Sequence, residues 1–433
     1  MTPIMVKNIK GFTGNPQAQA HEVIIKLAVL CLIGKIMKYN FPEKFLWGTS
    51  TSALQIESAS AEGSCHDWKG LRARDGSVLD EAINHQRQRA HDADIITSLG
   101  NAYRGGFDWS RLQKGPKAEL EAKVVNEYRD FYGRLKEKGM HLMLVLHHFA
   151  NPQWFVEGGS WTSSQAPGIF DDYVKKMAES FGDLADTWNT INEPSGLASM
   201  GYLLGQFPPR KKNPITAYRA FRGLSKAHKL AYRSLKGICP DAPVGISNVT
   251  MSFHHENMLG VIPAKIAGKL LVDSAEGILS DSDFIGFSYY GRVSFDPFPL
   301  TETDAPGKLD RKKREHDKMW EFYPQGIKDA AMRYHEKYGK PIIVTENGCC
   351  TDDDTQRIRS IGEHLKHLHG AIQQGADIRG YFHWSAFDNF ELHLGRSYRF
   401  GLVGIDYDTP ELKRTPKPSA IYYSQISKNN GLD

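Results

Sequence analysis

The sequence predicts an α/β protein: a single (β/α)₈ TIM barrel with its active site at the C-terminal ends of the strands. Three observations carry this. From residue 41 onward, short runs rich in β-branched and aromatic residues alternate eight times with longer amphipathic stretches. An open doubly wound sheet, the rival architecture, usually brings a Gly-rich phosphate turn after its first strand, and no GxGxxG or GxxxxGK[ST] occurs anywhere in the chain. Polar residues also gather at the downstream ends of the runs, where parallel barrels keep their chemistry.

The strands are read in order at FLWGTSTSAL (45–54), NAYRGGFDW (101–109), HLMLVLHHF (141–149) and DTWNTINE (186–193). The second half supplies APVGISNV (242–249), DFIGFSYY (283–290), PIIVTEN (341–347) and IRGYFHWSAF (378–387). Between them, EAKVVNEYRDFYGRLKEKG places Val124, Tyr128, Phe131 and Leu135 three or four apart, one face of a helix, and Lys138-Gly139 ends it. The stretches 170–182 and 323–339 repeat that design. Residues 291–319 show no strong period and are read as a βα loop; the basic runs at 210–212 and 311–314 are read as solvated faces. His364, His367 and His369 are likewise assigned to a solvated helix face, and His228 to helix packing.

The first forty residues stand apart. The run VIIKLAVLCLIGKIM (23–37) is the most apolar in the chain, but Lys26 and Lys35 leave it far short of a membrane span, and it lacks a good cleavage site for a signal peptide. Met37 opens MKYNFPEKFLWG, which runs straight into the first strand, so residues 1–36 are read as an N-terminal extension and 37–433 as the barrel.

Bulk properties exclude several classes. Of 433 residues, 40% are hydrophobic and 24% charged, a globular balance, and a net charge of +4 implies no nucleic-acid partner. The five Cys include no CxxC pair, so neither a disulfide framework nor a zinc site is indicated, and a reducing, cytoplasmic location fits. No membrane partner, metal or cofactor is expected; oligomeric state is not readable.

Strand three ends in His147-His148, strand four in Asn192-Glu193-Pro194, strand seven in Glu346-Asn347-Gly348, and strand eight passes through His383 and Trp384. A single Glu at a strand end is most often a salt-bridge partner. Two of them, on strands four and seven, would face each other across the barrel mouth. That is the minimum for breaking a glycosidic bond: one carboxyl protonates the departing oxygen, the other attacks the anomeric carbon. A retaining pair stands roughly 5 Å apart, and proximity drives the two pKa values apart.

These residues resemble glycoside hydrolase family 1, the retaining β-glucosidases and β-galactosidases. TINEP (190–194) is similar to that family's acid/base motif and VTENG (344–348) to its nucleophile motif. The resemblance implies Glu193 as acid/base, Glu346 as nucleophile, and a double displacement through a covalent glycosyl-enzyme. It further implies that Gln55 binds sugar hydroxyls, Arg104 in NAYR keeps the nucleophile ionised, and His148 meets the sugar's edge. Asn192 would hold the 2-hydroxyl, and Tyr290 in SYYGR would hydrogen-bond the nucleophile. From GYFHWSAFDNFE (380–391), Trp384 would lie beneath the sugar ring and Glu391 on its outer hydroxyls; Phe400 in YRFGL would flank the primary-hydroxyl end. The ordered motifs run from about 41 to 408. The implied substrates are terminal β-D-glycosides, small molecules or short oligosaccharides, with glucoside, galactoside and fucoside all admitted.

Three positions depart from the family pattern. Leu392 stands where Trp usually follows the Glu of DNFE, removing an indole N–H donor, a change of about 0.5–1.5 kcal/mol where such a bond is lost. Ser288 replaces the usual Asn before the paired tyrosines. Gly105-Gly106 replace bulky residues in strand two, marking either a weak strand or a close backbone approach. Other classes stay open: a carbohydrate-binding protein on the same fold that has lost catalysis, and a transglycosylase using the same intermediate. A metal-dependent hydrolase would want clustered His and Asp at strand ends, which the chain lacks.

Overall fold

Eight parallel strands close into a barrel in this computed structural model, which describes residues 39–80, 82–271, 276–296, 298–300 and 314–433. They are β1 (Leu46–Ser50), β2 (Ala102–Gly106), β3 (His141–His147), β4 (Thr187–Asn192), β5 (Val244–His255), β6 (Phe284–Asp296), β7 (Ile342–Asn347) and β8 (Ile378–Trp384). Each pairs in parallel with the next, and β8 pairs with β1 to complete the ring. Around them lie α1 (His85–Leu99), α2 (Ala122–Glu137), α3 (Ala166–Phe181), α4 (Pro214–Ile238), α5 (Met258–Leu271), α6 (Gln325–Tyr338), α7 (Asp354–Ile372) and α8 (Pro418–Asn429). Strands covered on both faces need no polar alternation, which is why β3 reads as a nearly unbroken apolar run.

The barrel floor is a plug of side chains. Leu46, Ala102, Met143, Phe284, Ile343 and Phe382 converge there from six strands. Two glycines make room for the rings: a Cβ at Gly48 would stand 2.1 Å from the Phe382 ring, and one at Gly245 2.5 Å from the Phe284 ring. Above this apolar layer the interior turns polar. Outside the barrel, the α2 positions Val124, Tyr128, Phe131 and Leu135 are all buried, as their spacing predicts. His228 is also buried in packing, bonded to Thr190 and Ser282.

Several expectations need correction. The expected first strand, 45–54, stops at Ser50, and Ala53–Ile56 forms a single helical turn, so Gln55 sits on a helix after the strand. β5 and β6 run on to His255 and Asp296, and Phe298–Leu300 folds back on β6; the first part of 291–319 is therefore strand, because the two extensions pair with each other above the barrel. His364 is buried against Tyr289 and Phe322, since it falls on the inner side of α7; it is not on a solvated face. Of the run 311–314, only Arg314 is among the described residues, and it is ion-paired with Glu256 and Glu321. The expected extension, 1–36, lies outside the described residues.

Gly105 and Gly106 prove to be a close approach. A Cβ at Gly105 would stand 2.5 Å from the Tyr103 ring and 2.9 Å from the Tyr132 hydroxyl, which itself donates to the Gly106 carbonyl at 2.7 Å. Gly105→Val is expected to lower unfolding free energy by about 1–3 kcal/mol, the usual range for overpacking, in a urea titration. Gly115→Ala, where no heavy atom lies within 4 Å of the added Cβ, serves as the control. Equal stability of the Gly105 variant and wild type would show that Tyr132 has room to move.

Candidate active site

Strict alternation along β7 puts Ile343 and Thr345 inward and would turn Glu346 away. A register shift between Phe287 and Ser288 of β6, opposite the end of β7, re-aims it. Asn192 is set by a similar shift on β4, between Asn189 and Asn192. Glu193 then sits just past β4 with a left-handed backbone (φ +44°), at the residue before the short helix Pro194–Ala198, where its side chain makes no capping hydrogen bond.

Arg104, fully buried, is the centre of the polar layer. Its Nη1 donates to Glu346 Oε1 at 2.7 Å and to Ser50 Oγ at 2.8 Å; its Nη2 donates to Asn192 Oδ1 at 2.5 Å. The other Glu346 oxygen, Oε2, accepts from the Tyr290 hydroxyl at 2.7 Å. Burial and the nearby carboxylates hold that phenol well above its usual pKa, so it stays a donor. Both Glu346 oxygens are thus fixed by the chain itself.

The two carboxyls sit in unlike surroundings. Burial raises Glu346, but Arg104 and Tyr290 pull against it. Burial also raises Glu193, and the Glu346 charge raises it further. Glu193 has no ion-pair partner at salt-bridge distance among the described residues; the Ser288 hydroxyl faces it instead. Glu346 therefore ionises first and Glu193 keeps its proton.

His148 is neutral, because burial and the Arg104 charge both hold its pKa down. Since Asn192 Oδ1 is taken by Arg104, its Nδ2 faces His148 Nε2 at 2.9 Å and donates. An imidazole accepting at Nε2 carries its proton on Nδ1. That Nδ1 is buried without a hydrogen-bond partner among the described residues.

A second polar group lies on the other side of the mouth. Gln55 Nε2 donates to Glu391 Oε2 at 3.1 Å and to Asn389 at 3.2 Å. Burial, then the Glu346 charge, pushes Glu391 up to about 8, with Trp384 and Gln55 donating to it. The Trp384 ring lies 5.8 Å from that of His148, and Phe400 lies 5.8 Å from Tyr290. All ten residues singled out from the sequence therefore meet in one connected group. Three further members escaped that reading. Trp320 stacks on Tyr290 at 4.9 Å, Cys350 packs with Trp384 and Phe400, and Ser50 anchors Arg104. The signal for Trp320 was a lone aromatic at the edge of an aperiodic stretch, which carries no period to read.

Leu392 is 9% exposed and joins the main hydrophobic core. Ser288 is fully buried, and its hydroxyl makes no hydrogen bond of ordinary geometry. Among the described residues, no group of three or more His, Cys, Asp or Glu side chains is placed to hold a metal ion, and no helix is long and apolar enough to cross a membrane.

Comparison with known proteins agrees with this geometry. The sequence model of glycosyl hydrolase family 1 matches residues 37–260 and 265–432. The chain is 31% identical to β-glucosidase A of Thermotoga maritima, over 91% of this chain and 99% of that one. It is 28% identical to a β-galactosidase of Pyrococcus woesei, over 90% and 98%. Among solved structures, the Thermotoga maritima β-glucosidase in complex with deoxynojirimycin superposes with a TM-score of 0.83 at 28% identity, covering 91% of this chain and all (100%) of that one. The chain belongs to glycosyl hydrolase family 1 and is a glycoside hydrolase, a β-glycosidase on a (β/α)₈ barrel.

Proposed function

We propose that this β-glycosidase removes terminal non-reducing β-D-glycosyl residues with retention of configuration, and that it accepts glucosides, galactosides and fucosides. The observation that carries the reading is the asymmetry of the two carboxyls: Glu346 is clamped by a guanidinium and a phenol, whereas Glu193 has neither. Glu346 attacks the anomeric carbon while Glu193 gives its proton to the leaving oxygen. The C–O bond to the aglycon breaks and a glycosyl ester forms on Glu346. Water then attacks the same carbon, giving its proton to Glu193, and Glu346 leaves as carboxylate.

The remaining residues hold the sugar. Asn192 takes the 2-hydroxyl, a contact that strengthens as positive charge develops at the anomeric carbon. His148 meets the sugar's edge. Gln55 and Glu391 take the outer hydroxyls, Trp384 lies beneath the ring, and Phe400 flanks the primary-hydroxyl end. The β-glucosidase and β-galactosidase names of the relatives favour gluco and galacto configurations. Leu392 supplies no donor near Glu391, which favours tolerance between glycons.

Four outcomes are expected, the kinetic ones with 4-nitrophenyl β-glycosides. Glu346→Gly should lose turnover by roughly 10⁴-fold or more, and azide should restore it with an α-glycosyl azide as product, because the anion enters from the vacated face. Absence of rescue would remove Glu346 from the nucleophile role. Glu193→Gln should lose about 10²–10⁴-fold with poorly activated leaving groups and much less with activated phenols, since only the former need a proton. Wild-type kcat/KM should fall on the alkaline side as Glu193 deprotonates, and in Glu346→Gln, where the neighbouring charge is gone, carbon-13 carboxyl spectra should show Glu193 titrating at lower pH. An unmoved titration would deny the coupling. Glu391→Ala should lower kcat/KM on β-glucosides by about 10–100-fold, the loss of a hydrogen bond to a charged or buried carboxyl. An unchanged kcat/KM would place Glu391 off the sugar.

A further inference from the structure

Helix α5 is turned inside out relative to an ordinary barrel helix. Its protein-facing side is made of small residues: Gly260 and Ala264 are buried, Ala267 and Gly268 half-buried. A Cβ at Gly260 would stand 2.2 Å from the Phe295 carbonyl oxygen, so helix and β6 touch at backbone distance. Four large apolar side chains point outward instead. Met258 is 90% exposed, Leu259 71%, Ile262 68% and Ile266 53%. At the helical repeat they fall within one arc about 100° wide. The short strand that folds back on β6 lies beside the same helix and carries Phe298, 75% exposed. Isolated apolar residues on a surface need no explanation, but a contiguous group of five does.

The charge on this face has one sign. Lys265 and Lys269 are exposed on the same arc, and 258–271 contains no Asp or Glu. Two described acids beside it are engaged, Glu256 by Arg314 and Asp296 by Asn257.

We propose that the outer face of α5, with Phe298, docks on an anionic lipid surface. Apolar side chains would enter the headgroup–acyl boundary while the two lysines, their stems lying along the same boundary, meet lipid phosphates. A two-fold contact with a second copy fits less well. It would set lysines against lysines, with no carboxylate on the helix to offset them. The contact is interfacial and does not span the bilayer. The sequence expectation of no membrane partner came from the lack of a span or signal; an inverted helix is recognised only once its buried side is known. α5 lies against Pro194–Ala198, directly after Glu193, so docking would turn the barrel mouth toward the lipid.

The test is co-sedimentation of the full chain with large unilamellar vesicles, either phosphatidylglycerol–phosphatidylcholine or phosphatidylcholine alone. Wild type should pellet with the anionic vesicles, less so as salt rises, and stay in solution with the zwitterionic ones. Ile262→Glu/Ile266→Glu should weaken binding at least tenfold, and Lys265→Ala/Lys269→Ala roughly tenfold or more, both with unchanged thermal melts. Three results would overturn the proposal. Wild type could fail to bind anionic vesicles. The isoleucine variant could bind as wild type does, which assigns binding to another segment such as 23–37. Or sedimentation velocity could show a dimer that the isoleucine substitutions dissolve, with no vesicle binding, which assigns the face to a second copy.

Discussion

A guanidinium sealed inside a barrel is the constraint on which the rest of this structure depends. Arg104 is wholly buried, and an unpaired charge there would be far too unfavourable to keep. Its position on β2 therefore obliges neighbouring strands to supply acceptors: Ser50 from β1, Asn192 from β4, Glu346 from β7. Buried ion pairs add little net stability against an apolar substitute of similar volume. What this one does is hold a carboxylate ionised where burial alone would protonate it. The neighbouring carboxyl, Glu193, faces a serine hydroxyl where Glu346 faces a guanidinium, and Glu346's charge acts on it, so the same burial keeps its proton on. One cation placed nearer one carboxyl than the other is enough to set two opposite protonation states.

That arrangement needs a dry, rigid support below and an open mouth above. The floor of Phe284, Phe382, Met143 and Ile343 excludes water from beneath Arg104. The glycines at 48 and 245 exist because two phenyl rings occupy the space their side chains would take. Immediately above, shifts in strand register turn Asn192 and Glu346 inward against simple alternation. Two departures from regular strand geometry thus occur where Asn192 and Glu346 are aimed.

Much of this could be read from the chain alone, for physical reasons that also explain the failures. Parallel strands covered on both sides carry dense β-branched runs, so β3 and β7 are plain in the sequence, and α2 announces its inner face through Val124, Tyr128, Phe131 and Leu135. The outer parts of β5 and β6 could not be read because they gain their order from each other, some forty residues apart. Gly105 was ambiguous because part of its reason, the Tyr132 hydroxyl, lies on another element. His364 was misplaced because three histidines at near-helical spacing do not say which way the helix faces. In the site, carboxylates at strand ends were visible as residue types, whereas the identity of the ionised one depends on Arg104 and Tyr290, which only the fold brings to Glu346.

The same logic separates the barrel's inner and outer helical faces. An ordinary barrel helix spends its large apolar side chains on the core, as α2 does, and shows charge to water. α5 cannot do so, because Gly260 sits too close to the Phe295 carbonyl to leave room for a side chain beneath it. Small residues solve that packing problem, yet they leave no reason for Met258, Leu259, Ile262 and Ile266 to be apolar, since none of them is needed by the core. Water would be served equally well by polar residues at those four positions. Their character is what the proposed lipid contact answers, and the lysines among them set the sign of charge that such a surface would carry.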